Sequence, residues 1–216
     1  MSRIAAVLVA VAASAAVIVA RQQGWGGDTT AWSAARASAW VALALLWAAV
    51  FTGVGVSLKY HPGIPGQVPA LELHRVTGSL ALSFTVVHAV ALVADPYIRF
   101  APWDAAVPFV APYRPLATGL GVIAAWLVAA VVLSTWGAGW LPRRAWHLIH
   151  RASYAALALG VVHGIAAGTD TEHWPTHVAY TAIAASVLGA VFLRFLARDW
   201  VAAHRASRRP APGHPG

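Results

Sequence analysis

The chain is 216 residues long, 59% hydrophobic and only 10% charged, with a mean hydropathy of +0.65. Soluble domains carry roughly 25% charged residues, and disordered chains are poor in apolar ones, so both classes are excluded and a multi-span membrane protein remains. Lys and Arg outnumber Asp and Glu by 15 to 7, which in such a protein is a topology signal before it is a sign of nucleic acid. There is no cysteine, which excludes disulfides, thiolate catalysis, Cys-ligated clusters and thioether attachment of a cofactor.

A helix needs about 20 mostly apolar residues to cross a bilayer. Six stretches meet that condition: 4–20, 37–57, 73–94, 115–136, 146–167 and 177–197. They predict an all-α membrane protein, a six-transmembrane-helix bundle spanning residues 1–197 as one domain. The segment 198–216 is basic and Pro-rich and reads as a disordered tail. In the first stretch, Met1-Ser2-Arg3, a short apolar run and Ala13-Ser14-Ala15 also fit a secretory signal peptide. The run continues to Ala20, so a retained anchor is expected; cleavage would leave five spans with unchanged orientation.

Basic residues divide unevenly between the two sides. One side holds Arg3, Lys59, Arg75, Arg143, Arg144, Arg151, Arg194, Arg198, Arg205, Arg208 and Arg209; the other holds Arg21, Arg36, Arg99 and Arg114. The positive-inside rule then predicts both termini in the cytoplasm. Trp25, Trp32, Trp103 and Trp174 fall near the outer interface, and Trp136, Trp140, Trp146 and Trp200 near the inner one, as an aromatic belt requires. The basic tail suits anionic lipid, and no nucleic acid partner is expected. A lone Lys59 among so many arginines is a coding bias of GC-rich bacteria, so a bacterial cell membrane is the expected location.

Of the ten histidines, His61, His173, His177, His204 and His214 lie in loops, at a span end or in the tail, and are read as solvated. His74 and His88 lie in the third span, His147, His150 and His163 in the fifth. Ionisable groups inside a bilayer mark functional sites by default, although a single one also serves as interhelical hydrogen-bonding glue. Fourteen residues separate His74 from His88, which returns the helix within ~40° of its starting azimuth, ~21 Å further along. On the face between them stand Gly78, Ala81 and Thr85, all small, leaving room for a flat cofactor. The thirteen residues from His150 to His163 leave the two rings ~140° apart on an ideal helix, so the helix is distorted or the rings approach from different sides. Before His163 on its own face lie Ala152, Ala156 and Gly160, again small.

His74 and His150 share one depth, His88 and His163 another. Two ligands per level fall short of the four of a structural zinc or the three of a catalytic one, whereas a porphyrin supplies four nitrogens of its own. Two stacked haems with imidazole on both axial positions fit this count. Arg75 and Arg151, each following a histidine, are candidate partners for haem propionates, or orientation charges snorkelling to the interface. His147, one turn before His150, is an alternative inner ligand.

These residues resemble the ferric reductase-like transmembrane domain family, which includes the membrane portions of NADPH oxidases and ferric reductases and the haem subunit of the bacterial methionine sulfoxide reductase system. The resemblance rests on Leu73-His74-Arg75 through His88, and on Trp146-His147-Leu148-Ile149-His150-Arg151-Ala152-Ser153-Tyr154 through His163, and covers about residues 37–197. It implies a six-helix bundle with two b-type haems, ligated by His74 with His150 and by His88 with His163, and electron transfer across the membrane. No Gly-x-Gly-x-x-Gly opens a helix after a strand, so no flavin or NAD(P) site is expected in this chain. The donor is then a separate cytoplasmic flavoprotein or membrane quinol, and the acceptor an extracytoplasmic protein or small molecule. Rival expectations are another quinol-linked cytochrome b and a transporter with a histidine proton relay. The long 95–114 connection, with Pro96, Pro102, Pro108 and Pro112, is a candidate cover for the outer centre.

Overall fold

The computed structural model describes residues 10–16, 18, 30–60 and 63–207, with side chains described as far as residue 196. Residues 10–16 are helical (α1); most of the predicted first span, and with it the choice between anchor and signal peptide, lies outside the described residues. Five long helices follow: α2 (Thr30–Leu58), α3 (Gln67–Ala94), α4 (Pro115–Trp136), α5 (Arg143–Ala167) and α6 (Trp174–Ser207). Each is long and apolar enough to cross a bilayer, α6 over Trp174–Leu196.

The bounds of α4 coincide with the predicted span because the sequence punctuates both ends. Pro115 occupies the first turn, where its missing N–H is not needed, and Gly137 follows the last residue. The other helices begin earlier than their apolar stretches, α2 at Thr30 rather than 37 and α3 at Gln67 rather than 73. Hydropathy registers only the lipid-facing length, while backbone hydrogen bonding continues into polar interface residues. The start of α3 is set by Gly66, whose φ of 106° only glycine adopts freely.

The expectation of a disordered tail is corrected in part. Residues 198–207 continue α6, since the run from Arg198 to Ser207 contains neither Pro nor Gly and is rich in Ala and Arg, strong helix formers. The prolines begin at Pro210, and residues 208–216 lie outside the described residues.

The helices pair as hairpins. α2 packs along α3, and α4 along α5. Ala49, late in α2, meets His74, early in α3, while Ala35 meets His88, so the pair is antiparallel. Most buried positions of these two helices are small, Ala31, Ala35, Ser38 and Ala49 on α2 and Ala70, Thr77, Ala81, Ser83 and Ala91 on α3, with Val50, Val54 and Val87 the larger ones. Small residues let helix backbones approach closely, the main source of association where lipid is as apolar as the side chains. Helix α6 is peripheral, tied to α2 by the Trp40–Tyr180 ring contact at 5.0 Å and by the bond from Trp47 Nε1 to Ser186 Oγ at 2.8 Å. Its Leu188, Phe192 and Phe195 are exposed, as a lipid-facing surface requires.

The 95–114 connection is ordered around a short 3-10 turn, Pro102–Ala105. Asp95 Oδ1 accepts from the backbone N–H groups of Tyr97 and Ile98 at 2.9 and 3.0 Å, and Asp104 Oδ2 from that of Ala101 at 2.8 Å. At its far end Tyr113 Oη and Arg114 Nη1 donate to the carbonyls of Ala167 and Ala166, terminal carbonyls that α5 itself leaves unpaired.

Candidate functional site

The two hairpins meet through an apolar cluster at mid-length and are apart on either side of it. Between them lie two cavities, one above the other, of about 620 Å³ at the level of His74 and about 220 Å³ at the level of His88. Leu46, Val128 and Ala156 line both and form an apolar wall between them. Val128 and Ala156 belong to a buried cluster with Val132, against which Leu82, Leu127 and Trp136 pack.

Each cavity holds two facing imidazoles. His74 from α3 and His150 from α5 have ring centres 5.8 Å apart with planes at 70°. His88 and His163, from the same two helices, are 6.4 Å apart at 72°. The thirteen-residue interval on α5 is accommodated because its cavity-lining positions His150, Ser153, Ala156, Gly160, His163 and Ala167 advance by threes and fours. That stripe turns gradually around the helix, so the two rings enter their cavities from different sides.

Three of the four rings are fixed by a hydrogen bond to a helix carbonyl. His74 Nδ1 lies 2.7 Å from Ala49 O, His88 Nδ1 2.8 Å from Ala35 O, and His163 Nδ1 2.8 Å from Ala117 O. A carbonyl only accepts, so Nδ1 carries the proton and the lone pair is left on Nε2. Such a bond sets the tautomer, orients the ring and raises the basicity of the far nitrogen.

The carbonyls are reachable because the residue one turn later is small. Helix side chains lean toward the N-terminus, so the Cβ at position i+4 overhangs the carbonyl of residue i. Following Ala49 that residue is Gly53, where a Cβ would stand 2.9 Å from His74 Cε1; following Ala117 it is Gly121, where a Cβ would stand 2.6 Å from His163 Nδ1. Following Ala35 it is Ala39. An Ala-x-x-x-Gly pattern stands at both docking sites, 49–53 and 117–121, but it also recurs at 20–24, 156–160 and 185–189 and does not by itself single them out.

The remaining predicted residues divide. Gly78 and Thr85 line the cavities, and a Cβ on Gly78 would meet nothing within 4 Å; Ala81 is instead packed, 1% exposed. Ala156 and Gly160 line the cavities, and Ala152 does not. Arg75 lines the His74 cavity and pairs with Glu72 at 2.7 Å. Arg151 is exposed and lines neither cavity. His147 is exposed and lies edge-on to Trp146 rather than facing His74. His173 and His177 are exposed; His61, His214 and the side chain of His204 lie outside the described residues.

Two polar contacts went unforeseen. Arg194 Nη1 donates to Tyr154 Oη at 2.8 Å, linking α6 to α5. Arg36 pairs through two nitrogens with Asp170, joining the start of α2 to the connection between α5 and α6; both line the His88 cavity.

Imidazole nitrogen binds first-row metals at about 2 Å, so two rings on opposite sides of one ion have centres roughly 6 Å apart. Both couples meet that spacing. Among the described residues, no three His, Cys, Asp or Glu side chains gather around one point that would hold a metal ion. Two imidazoles at each level are a donor set that haem iron, which brings its own equatorial nitrogens, would accept. No family model, curated protein or solved structure matches the chain.

Proposed function

We propose that the protein is a di-haem b-type membrane cytochrome, ferric reductase-like in kind, that relays electrons across a bacterial cell membrane. In this reading His74 with His150 and His88 with His163 are the axial ligand pairs. The observation that carries it is the facing of two imidazole couples at iron-bridging separation, with Nδ1 tied to a backbone carbonyl in three of the four rings. Haem held by these histidines would supply a one-electron Fe(III)/Fe(II) couple, and with two imidazoles committed to each iron would favour outer-sphere transfer over substrate activation.

The chain's own residues do the positioning. Ala49, Ala35 and Ala117 aim three imidazoles, and Gly53 and Gly121 clear the space those rings occupy. Arg75 lines the His74 cavity and is the candidate partner for a propionate; since Arg151 lines neither cavity, that role is proposed for Arg75 alone. The excess of Lys and Arg on the His74 side supports a cytoplasmic location for it and for both termini. A cytoplasmic flavoprotein or quinol then serves as donor at the His74 level, and an extracytoplasmic protein or small molecule as acceptor at the His88 level. A histidine proton relay needs polar groups connecting the two levels, whereas the residues lining both cavities are Leu46, Val128 and Ala156.

Single histidine replacements test the assignment. His88→Ala or His163→Ala removes one haem and leaves the bands of the other, and His74→Ala or His150→Ala removes the complementary one. Unchanged haem content in all four would overturn it.

A further inference from the structure

One of the four imidazoles is held differently. The Nδ1 atom of His150 is buried and has no hydrogen-bond partner among the described residues. Its ring instead lies against the indole of Trp146, one helical turn earlier on α5, with centres 4.7 Å apart and planes only 21° from parallel. The Nε1 atom of Trp146 is likewise buried without a hydrogen-bond partner among those residues. Neither member of this stack is therefore anchored by a bond of its own. Both rings line the His74 cavity, and His147 meets the indole edge-on with centres 4.9 Å apart.

A carbonyl acceptor and an aromatic face restrain an imidazole in different ways. The carbonyl holds the ring, fixes the tautomer and makes the opposite nitrogen a stronger donor. A stacked indole restricts tilt and rotation through surface contact but leaves the nitrogens electronically unassisted. We propose that Trp146 is the positioning residue for His150, restraining by stacking a ring that no helix carbonyl holds, and that without the indole His150 is displaced before the other three ligands. This inference rests on the di-haem function proposed above.

The test compares wild type with Trp146→Phe, which keeps a ring face, and Trp146→Leu, which keeps apolar bulk without one. Haem is first counted by pyridine haemochrome; wild type without haem overturns the proposed function and this inference with it. Each dithionite-reduced protein is then exposed to carbon monoxide, which replaces an imidazole on ferrous iron with no change of oxidation state, and the Soret band is followed. Wild type and Trp146→Phe are expected to take up none. Trp146→Leu is expected to bind one carbon monoxide per chain, or to lose one haem, with the spectrum of the other centre intact. Two haems and no uptake in Trp146→Leu, uptake of two per chain, or loss of both haems would each overturn the positioning role while leaving the wild-type haem count standing.

Discussion

His163 directs Nδ1 at the carbonyl of Ala117, and the residue one turn past that carbonyl is Gly121, whose absent Cβ would stand 2.6 Å from the same nitrogen. The hydrogen bond and the missing side chain are one device, since a methyl group there would occupy the place of the ring. The ring is rigid and held at Nδ1, so moving it aside breaks its bond to Ala117.

Gly121→Ala is therefore expected to cost about 1–3 kcal/mol through overpacking and to lower bound haem from two to one per chain. Gly53→Ala, with 2.9 Å to His74 Cε1, should act in the same direction and more weakly. A methyl group added at Gly189 in α6 would meet nothing within 4 Å; Gly189→Ala should leave haem content unchanged and gain up to ~1 kcal/mol from helix propensity. Thermal unfolding in detergent and haem absorbance measure both effects. Equal behaviour of the three variants would contradict the docking geometry.

The contact of Arg194 with Tyr154 places a guanidinium within the apolar length of α6 against a phenol. A hydrogen bond to a charged group contributes about 1.5–3 kcal/mol, so Tyr154→Phe should lower unfolding stability by that order. Adding Arg194→Met should recover part of the loss, because the stranded charge is then gone. Equilibrium unfolding of the single and double variants decides it, and an unaltered Tyr154→Phe protein would count against the contact.

The Arg36–Asp170 pair is expected to matter less. Its side chains are 46% and 25% exposed, and ion pairs of that kind contribute about 0.2–1 kcal/mol. Asp170→Asn should fall within that range and its effect should shrink as salt is raised. A larger, salt-independent loss would contradict the assignment of Arg36–Asp170 as a solvent-screened pair.

Much of this architecture was legible. The span 115–136 was bounded by its own Pro and Gly, and counting depth from the loops put His74 beside His150 and His88 beside His163. The ends of α2, α3 and α6 were not legible, because apolarity ceases before helical hydrogen bonding does. Arg75 and Arg151 looked equivalent by position, and only the rotation of each helix sends one to a cavity and the other outward. The Arg194–Tyr154 contact joins separate helices and left no local pattern. Gly53 and Gly121 were visible as glycines in apolar helices, yet their purpose depends on a ring arriving from elsewhere in the chain.

The orientation is open to a direct chemical test because the chain has no cysteine. Tyr97 and Trp140 are 90% and 95% exposed in connections at opposite ends of the bundle. In intact cells a membrane-impermeant maleimide should label the Tyr97→Cys chain and spare the Trp140→Cys chain, with both labelled after lysis. The reverse pattern would invert the topology and exchange the donor and acceptor sides.

The central claim is that two facing imidazole couples each hold a haem iron. The most direct measurement is haem per chain in purified wild-type protein, from the pyridine haemochrome together with a dithionite-reduced minus oxidised spectrum. Two haems per chain with low-spin b-type bands are predicted. Colourless protein after expression with ample haem supply, lacking a Soret band, would contradict it.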